Sequence, residues 1–412
     1  MGESEASAMR NGGTLLISTC AAVLLGTAAC APAGDSGPPP EQPRRAPLPP
    51  PTLSITPAHG AKRVPPDAGI GLKVTGGKIT SVSVTDAKGR EVPGRLGADG
   101  TWRPAWPFTP STAYTVRAQA AAPDGGKTVT ERAAFTTLKP KRVLETGMSP
   151  LDGEKVGVGM PIQVLLSKPV TAQKDRAAVE RSLTVHMSKP VEGAWSWVSD
   201  REVQYRPREY WPVGEKVTVV AHMAGLRIGR DVWGTKDRTV HFTVGPRHIT
   251  TINNRTHRAV VRSNGKVVKT IPVSLGKPGY ESWSGTMIAQ EKAPDFLMDS
   301  ATIGIPGEYL HHTKWNVRLT YSGMFFHAAP WSVGDQGRRN VSHGCVNAST
   351  ANAHWFYNFT QRGDIIKITG TSRKLRFGNG PTPWTKTWEE WLAGSALKTS
   401  AATPPGAAST DA

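Results

Sequence analysis

The chain has 412 residues, of which 38% are hydrophobic and 20% are charged. This length predicts two or three domains, and the balance is that of a soluble globular protein. Three cysteines exclude a disulfide-rich scaffold, and a single apolar run near spanning length excludes a multi-span membrane protein. The net charge of +18 indicates an anionic neighbour, which could be a nucleic acid, an anionic membrane face or an acidic polymer.

The N-terminus has the parts of a secretory signal: a basic Arg10, an apolar run over residues 14–29, and Cys30 directly after small residues. The run is shorter than the ~20 residues that span a bilayer, which disfavours an uncleaved anchor. We expect a lipoprotein signal peptide over residues 1–30, cut before Cys30 so that this thiol carries lipid. Export or anchoring by another route is the alternative.

Residues 31–51 contain nine prolines and no apolar pattern, so we predict an extended Pro-rich linker. At ~3.1 Å per residue it would reach roughly 60 Å and hold the folded part away from a membrane. Residues 396–412 are rich in Ala, Ser, Thr and Pro, which predicts a disordered tail. Once the signal is removed, Cys345 is the one cysteine without lipid, and an unpaired cysteine in an exported protein needs a functional reason.

Short segments of alternating apolar and polar residues, separated by Gly, Pro and Asp, fill residues 52–140 and predict an antiparallel sandwich. Residues 141–246 repeat the pattern, with Trp102-Arg-Pro echoed by Tyr205-Arg-Pro and a helical insertion at Asp175 to Ser182. We therefore predict two immunoglobulin-like β-sandwiches in tandem. Their Trp and Tyr side chains are expected in the cores, with an exposed glycan-binding platform as the alternative.

Residues 247–395 differ, and their pattern predicts a mostly antiparallel β domain with one or two helices. The whole chain is thus predicted to be mainly β. The elements predicted in this third unit are a hairpin around Asn264-Gly265, a strand from Val317 to His327, and a helix from Ala348 to Arg362 with Ser349 as N-cap and Gly363 as C-cap.

The segment Ser342-His343-Gly344-Cys345-Val346-Asn347 carries the chemistry. Cys345 lies just before the predicted helix, whose N-terminal N–H groups and dipole would lower the thiol pKa toward the thiolate. Gly344 allows close backbone approach, and the amides around Cys345 could line an oxyanion hole. A small buried cysteine in a strand-to-helix turn is the structural alternative.

A thiolate that transfers acyl groups needs a base to activate it and a donor to protonate the leaving amine. His343 is too close along the chain to turn freely toward the thiol. His327, at the end of a predicted strand, can face Cys345 across the intervening loop and is the better candidate.

The segments His327-Ala-Ala-Pro-Trp-Ser-Val-Gly and Asn340-Val-Ser-His-Gly-Cys-Val-Asn resemble the signature of the L,D-transpeptidases. That signature is a histidine followed along the chain by Ser/Thr-His-Gly-Cys-apolar-Asn. The similarity covers about residues 247–395. The layout of lipoprotein signal, Pro-rich linker, two immunoglobulin-like domains and catalytic domain resembles the actinobacterial members.

The resemblance implies roles by position. Cys345 would be the nucleophile and His327 the general base or acid, while His343 and Gly344 would shape the site. The segment Asp295 to His327 would form a flexible lid, and neither a metal nor an organic cofactor is implied. The substrate-contacting positions that the resemblance implies are Tyr309, Ser322, Gly323, Asn347, Met298 and Trp331.

The implied reaction is the formation of 3→3 cross-links in peptidoglycan at the outer face of the cytoplasmic membrane. A tetrapeptide stem would form a thioester with release of D-Ala, and a diaminopimelate-type amine of a second stem would resolve it. Carbapenem-type β-lactams are implied as inhibitors. Nucleic acid is not an expected partner, because the basic residues are scattered without a recognised motif. An L,D-carboxypeptidase and a non-catalytic wall-binding lipoprotein remain as alternatives.

Overall fold

The computed structural model describes residues 49–402. The expected signal peptide, nearly all of the Pro-rich linker and the end of the expected tail therefore lie outside the described residues. In the part of the chain that is described, no helix is both long and apolar enough to cross a membrane. The architecture is mainly β, as the sequence predicts, with a hydrophobic core in each of three successive regions. The core of the second region also includes Ile288 and Ile365 of the third.

The first region is a sandwich of two four-stranded sheets, ordered β1-β3-β6-β5 and β2-β8-β7-β4. Alternation along one strand shows why the sheets pack face to face, since Tyr114, Val116 and Ala118 are buried while the residues between them are exposed. The strands are β1 Thr52–Thr56, β2 Ala61–Val64, β3 Ile70–Thr75, β4 Lys78–Asp86, β5 Gly94–Leu96, β6 Thr101–Pro104, β7 Ala113–Ala121 and β8 Thr128–Thr137.

The second region is another sandwich, with sheets ordered β10-β12-β15-β14 and β11-β19-β16-β13 and a small sheet β17-β18-β9. The predicted helical insertion is present as α1. The elements are β9 Arg142–Leu144, β10 Thr146–Ser149, β11 Glu154–Val156, β12 Ile162–Leu166, α1 Gln173–Arg181, β13 Leu183–Met187, β14 Glu192–Trp197, β15 Glu202–Pro207, β16 Lys216–Ala221, β17 Arg227–Ile228, β18 Val232–Gly234 and β19 Arg238–Val244.

Most of the large aromatic side chains of the two sandwiches are in the cores. Trp102 is 4% exposed and Trp211 2% exposed, which fits the core interpretation rather than a glycan platform. Trp106 is the exception, at 38% exposed, and its ring stacks on His222 of the second sandwich with centroids 3.9 Å apart. This stacked pair joins the two sandwiches.

The third region packs a five-stranded sheet, β22-β21-β20-β28-β23, against a four-stranded sheet, β24-β25-β26-β27. Short 3₁₀ turns occur at Ser300–Ile303, Pro330–Ser332 and Pro383–Thr385. The elements are β20 His248–Asn253, β21 Arg258–Ser263, β22 Lys266–Pro272, β23 Gly285–Ile288, β24 Lys292–Asp299, β25 Leu310–Arg318, β26 Phe325–Ala328, β27 Val346–Ala348, α2 Thr350–Phe359, β28 Ile365–Thr369, α3 Trp388–Ala393 and β29 Ala401–Ala402.

The predicted hairpin is confirmed, because β21 and β22 pair across Asn264-Gly265, both of which have positive φ. The single strand predicted from Val317 to His327 is wrong. The chain turns between β25 and β26, where Gly323 has φ 87° and the N–H of Met324 donates to the Thr320 hydroxyl at 3.0 Å. Alternation continues through this turn, so the pattern alone could not reveal it.

The predicted helix is α2, and the Ser349 side chain caps it by accepting from the N–H of Asn352. Gly363 is not its C-cap, because the helix ends earlier, at Thr360 in extended conformation. Gly363 has φ 87° in the tight turn that enters β28, and its N–H donates to the carbonyl of Ala289 at 2.8 Å. A side-chain bond explains the early stop, since the Asp364 carboxylate accepts from the N–H of Gln361 at 2.8 Å.

Residues 383–402, which we name the C-terminal strap, leave the third region and pack largely on the second sandwich. The guanidinium of Arg206 lies 4.7–5.2 Å from the ring centroids of three strap tryptophans. Trp391 is fully buried, and its indole N–H donates to the Ala194 carbonyl. Residues 396–402 differ from the expected disordered tail, because the Glu180 carboxylate accepts from the N–H of Ala396 and β29 pairs with β14.

The second sandwich and the third region also meet directly. The guanidinium of Arg362 makes two bonds to the Glu154 carboxylate, at 2.7 and 2.9 Å, and its carbonyl accepts from the N–H of Gly157. A cleft of about 760 Å³ beside this junction is lined by residues of both regions, among them Gln163 and Tyr321. The second sandwich is thus bonded directly to the third region.

Candidate active site

A cleft of about 270 Å³ opens on the four-stranded sheet of the third region. It brings together most of the residues singled out from the sequence, although they come from five separate segments of the chain. Ser322, Gly323 and Gly344 do not line the cleft but adjoin it through the hydrogen bonds described below. The sequence-predicted residues that line the cleft are Met298, Tyr309, His327, Trp331, His343, Cys345 and Asn347.

Cys345 lies in a tight loop that leads into β27, and not at the N-terminus of a helix as the sequence suggested. Gly344 before it has φ 124°, a conformation that favours glycine. The N–H of Gly344 donates to the Ser342 hydroxyl at 3.1 Å, and that hydroxyl donates to the Cys345 carbonyl at 2.7 Å. The Ser282 hydroxyl donates to the Gly344 carbonyl at 2.7 Å and braces the loop from outside.

His327 is at the end of β26, which pairs in parallel with β27 so that His327 is opposite Asn347. The side chain is only 3% exposed. Its Nδ1–H donates to the Ala328 carbonyl at 2.9 Å. This bond assigns the proton to Nδ1 and leaves Nε2 as the basic nitrogen.

The resting thiol and imidazole are both neutral. Burial raises the pKa of the Cys345 thiol to about 11, and the opposing effects of the Phe325 N–H and of Arg318 are smaller. Burial lowers the pKa of His327 to about 4. The expected lowering of the thiol pKa is therefore wrong in direction, because β27 separates Cys345 from the dipole of α2 and partial burial disfavours the charged thiolate.

The turn between β25 and β26 lies against the thiol. The Sγ of Cys345 is 3.6 Å from the Gly323 carbonyl oxygen. The Ser322 hydroxyl accepts from the indole N–H of Trp283 at 3.0 Å and from the amide of Asn379 at 2.9 Å. The Asn379 side chain also accepts from the Ser322 N–H at 2.9 Å, so this one amide holds the turn on both sides.

Much of the expected lid is part of the sheet. Between Asp295 and His327 the chain forms β24, β25 and β26, and only the tip of the β24–β25 hairpin projects over the cleft. Met298 and Tyr309 face the cleft from that hairpin. The Ser300 N–H donates to the Tyr309 carbonyl at 3.1 Å and closes the hairpin end. Burial, with repulsion from Cys345, raises the pKa of the Tyr309 phenol to about 12.

His343 is surrounded by polar groups that the sequence did not reveal. The Lys277 ammonium lies 2.9 Å from its Nε2, and the Glu308 carboxylate lies 3.7 Å from the same nitrogen. The rings of Tyr280 and Tyr309 lie 4.9 and 5.1 Å from the imidazole. Burial and the nearby lysine lower the pKa of His343. Lys277 and Tyr280 belong to a loop far from the motif in sequence, so no local signal marked them.

Asn347 and Trp331 complete the wall. The Asn347 amide is buried and donates to the Ser332 hydroxyl at 3.2 Å, while its backbone N–H and carbonyl both bond to Ser274. Trp331 is 57% exposed, with its ring 6.2 Å from that of His327. Asn347 therefore supports the loop from within, and Trp331 forms an exposed apolar wall at the mouth.

Metal ligation has no support in the described residues. Between residues 49 and 402 no group of three or more His, Cys, Asp or Glu side chains is arranged to hold a metal ion. The chemistry that this cleft can perform with its own residues is acid–base and nucleophilic.

Comparison with known proteins identifies the family to which the chain belongs. Residues 247–368 match the L,D-transpeptidase catalytic domain, and residues 61–227 match a bacterial Ig domain. L,D-transpeptidase 2 of Mycobacterium tuberculosis is 35% identical over 352 residues, which cover 84% of this chain and 85% of that protein. The chain belongs to the L,D-transpeptidase family. The match to the bacterial Ig domain spans parts of both sandwiches.

Two further similarities are to proteins of the same organism. L,D-transpeptidase 5 of M. tuberculosis is 36% identical over 368 residues, covering 87% of this chain and 80% of that protein. The crystal structure of L,D-transpeptidase 3 from M. tuberculosis in complex with a faropenem-derived adduct is 28% identical. It covers 54% of this chain and 97% of that chain, with a TM-score of 0.46.

Proposed function

We propose that this L,D-transpeptidase joins peptidoglycan stems by 3→3 cross-links through a thioester on Cys345. The observation that carries the proposal is the tautomer of His327. Its Nδ1–H is bonded to the Ala328 carbonyl, which leaves Nε2 free to accept a proton in the same cleft as the Cys345 thiol. Cys345 is also the one cysteine in residues 49–402.

The first step acylates the enzyme. As Sγ attacks the carbonyl of the third stem residue, the thiol proton passes to Nε2 of His327, and the imidazolium then gives it to the D-Ala nitrogen. The S–C bond forms and the C–N bond to D-Ala breaks. Because the thiol pKa is about 11 and the imidazole pKa about 4, the proton moves during the attack rather than in a preformed ion pair.

The oxyanion of this step needs a donor. The N–H of Cys345 donates to no acceptor in the described part of the chain and is therefore available. The N–H of Gly344 is already bonded to the Ser342 hydroxyl. We assign the Cys345 amide as the oxyanion donor and Gly344 as the residue whose positive φ aims it.

The remaining residues would hold the donor stem. Ser322-Gly323 offers a main-chain edge directly beside the thiol, and Tyr309 with Met298 covers the cleft from the hairpin. Trp331 forms an apolar wall, Asn347 supports the nucleophile loop, and His343 shapes the floor next to it. These roles follow the family resemblance, and the positions of the residues around one cleft support them.

In the second step an amine of another stem attacks the thioester. His327 takes a proton from this amine and returns it to the departing Sγ, so an amide forms and the free thiol is regenerated. Carbapenem-type β-lactams would enter at the first step, because attack of Sγ on the lactam carbonyl opens the ring. The ring nitrogen stays attached, so the adduct retains the mass of the whole drug.

We also propose that the protein is a lipoprotein of the outer face of the cytoplasmic membrane. The support is the sequence of residues 1–30, with lipid on Cys30 and the Pro-rich linker as a spacer. In an actinobacterial host, Cys30→Ala should move the protein from the detergent phase to the aqueous phase on partitioning. An unchanged distribution would remove the lipid anchor from this account.

The test of the reaction is mass spectrometry of the products from a purified disaccharide-tetrapeptide. A dimer that weighs two substrates less one molecule of alanine is the expected product. Monomers that have lost the terminal alanine, without dimer even when an amine acceptor is added, would identify an L,D-carboxypeptidase instead. Unchanged substrate together with a Cys345 inert to β-lactams would favour the wall-binding alternative.

A further inference from the structure

The cleft contains a carboxylate that acylation by the donor stem does not use. Glu308 is the one acidic residue among those lining the cleft, and it lies at the tip of the β24–β25 hairpin next to Tyr309. Its side chain is 52% exposed. The Glu308 side chain can therefore meet a ligand that enters the cleft from solvent.

The Glu308 carboxylate has no hydrogen-bond partner among the side chains of the described residues. The nearest basic group to it in the described residues is Nε2 of His343 at 3.7 Å, beyond hydrogen-bond distance. That nitrogen already accepts from the Lys277 ammonium at 2.9 Å, so the imidazole is neutral there. Glu308 therefore faces the cleft as a carboxylate whose hydrogen-bonding capacity is open.

The neighbouring cation does not occupy the cleft. Lys277 bonds to Nε2 of His343, the nitrogen that Glu308 also approaches, and it is not among the residues that line the cleft. A ligand in the cleft consequently meets the Glu308 carboxylate and the neutral His343 ring, whose Nε2 is taken up by Lys277. This arrangement favours a cationic ligand.

We propose that Glu308 binds the acceptor stem through its side-chain ammonium and so determines specificity for an amine over water. The assignment rests on the proposed cross-linking function. A primary amine of this type has a pKa of about 10, so it arrives at neutral pH as an ammonium with three N–H donors. A carboxylate beside the thioester both attracts that cation and orients it for attack.

The attack of the acceptor amine on the thioester releases two protons from the ammonium nitrogen. The acceptor ammonium releases one proton to solvent at the exposed carboxylate, and the amine nitrogen then attacks the thioester carbon. The second proton passes to Nε2 of His327 and from there to Sγ as the S–C bond breaks. The products are the new amide and the free thiol.

The test separates the two half-reactions in Glu308→Gln, which keeps the side-chain shape and removes the charge. The donor is the disaccharide-tetrapeptide. The acceptor is the disaccharide-tripeptide, which has the amine but no D-Ala to release. We expect the KM for the acceptor to rise about fivefold and hydrolysis to gain on transfer, while D-Ala release in the acylation step keeps its wild-type rate.

The matched control is Asp295→Asn, on the same hairpin but outside the cleft, where the carboxylate is bonded to His312 and Lys314. It makes the same charge change and should leave the acceptor KM at the wild-type value. An acceptor KM in Glu308→Gln equal to that of this control would overturn the assignment. Acylation slowed as much as transfer would also overturn it, because Glu308 would then be only a latch that holds the hairpin.

The wild-type protein tests the cross-linking function separately from the Glu308 assignment. A wild type that releases D-Ala but joins no stems refutes the cross-linking function and the Glu308 assignment with it. A wild type that joins stems with an acceptor KM insensitive to Glu308→Gln refutes only the assignment.

Discussion

The thiol of Cys345 lies 3.6 Å from the carbonyl oxygen of Gly323, so the sulfur and the edge of the β25–β26 turn are in direct contact. A carbonyl oxygen can accept a hydrogen bond from the S–H group, but it has no hydrogen to donate to a thiolate. This contact therefore favours the protonated thiol, in the same direction as burial, which raises the thiol pKa to about 11. In the proposed mechanism the enzyme therefore rests with an uncharged Cys345 thiol and forms the thiolate only as substrate arrives.

The rate at which Cys345 is alkylated should reflect the raised pKa of its thiol. With a pKa about two units above that of a free thiol, the thiolate fraction at pH 7 is about 100-fold smaller, and iodoacetamide should react correspondingly slowly. Because the thiol is protonated below its pKa, the rate should rise about tenfold per pH unit until pH approaches 11. A rate that is already at a plateau near neutral pH would instead indicate a thiolate–imidazolium pair with His327.

His327 should make the folded protein sensitive to acid. Its folded pKa of about 4 is below the unfolded value of 6.5, so the unfolded chain binds more protons between these values. The stability that the neutral imidazole contributes is present above pH 6.5 and is lost as pH falls toward 4, by at most about 3 kcal/mol. Denaturant unfolding at pH 7 and pH 4.5 measures it. His327→Gln should show a smaller difference between the two pH values, and an unchanged difference would contradict the burial of an uncharged ring.

Asn379 should matter for activity although it is distant in sequence from the catalytic motif. Its side chain holds Ser322 through two bonds of 2.9 Å, and Asn379→Ala leaves the turn beside the thiol without them. We expect kcat/KM for the tetrapeptide to fall about tenfold with little change in melting temperature. Asn379→Asp restores the acceptor but not the donor and should lie between the two. Equal activity of Asn379→Ala and wild type would remove the turn from substrate binding.

The C-terminal strap should contribute stability rather than catalysis. Trp391 is fully buried against the second sandwich, so Trp391→Ala should cost about 3–5 kcal/mol of unfolding free energy. Trp331→Ala provides the matched control, because its indole is 57% exposed and its loss should scarcely change stability. Thermal unfolding of both variants compares the two sites. Similar melting temperatures would mean that the strap does not fasten the third region to the sandwich.

The sequence was informative where chemistry and structure are local. His327 and the segment 342–347 were singled out because a histidine, a glycine and a cysteine stand in an order that resembles the L,D-transpeptidase signature. Asn264-Gly265 likewise predicted its hairpin, since only a few residue pairs suit that turn. The family then followed from the motif.

The rest depends on contacts between distant segments. Glu308 lines the cleft, while Lys277 bonds to His343 and Asn379 to Ser322 at its edge. The three come from separate loops, and no local pattern assigns them to the site. The thiol pKa was mispredicted because its value depends on burial, which sequence does not report. Residues 396–402 differ from the expectation because an Ala- and Ser-rich composition does not reveal that β14 leaves an open edge for pairing.

The most direct test of the central claim is the mass of the intact protein during turnover of the disaccharide-tetrapeptide. The account predicts a covalent species heavier than the enzyme by one substrate less one molecule of alanine, located on Cys345 and absent from Cys345→Ala. Addition of the tripeptide acceptor should discharge this species while the cross-linked dimer appears. Dimer formed by Cys345→Ala, or an adduct on another residue, would contradict the thioester mechanism.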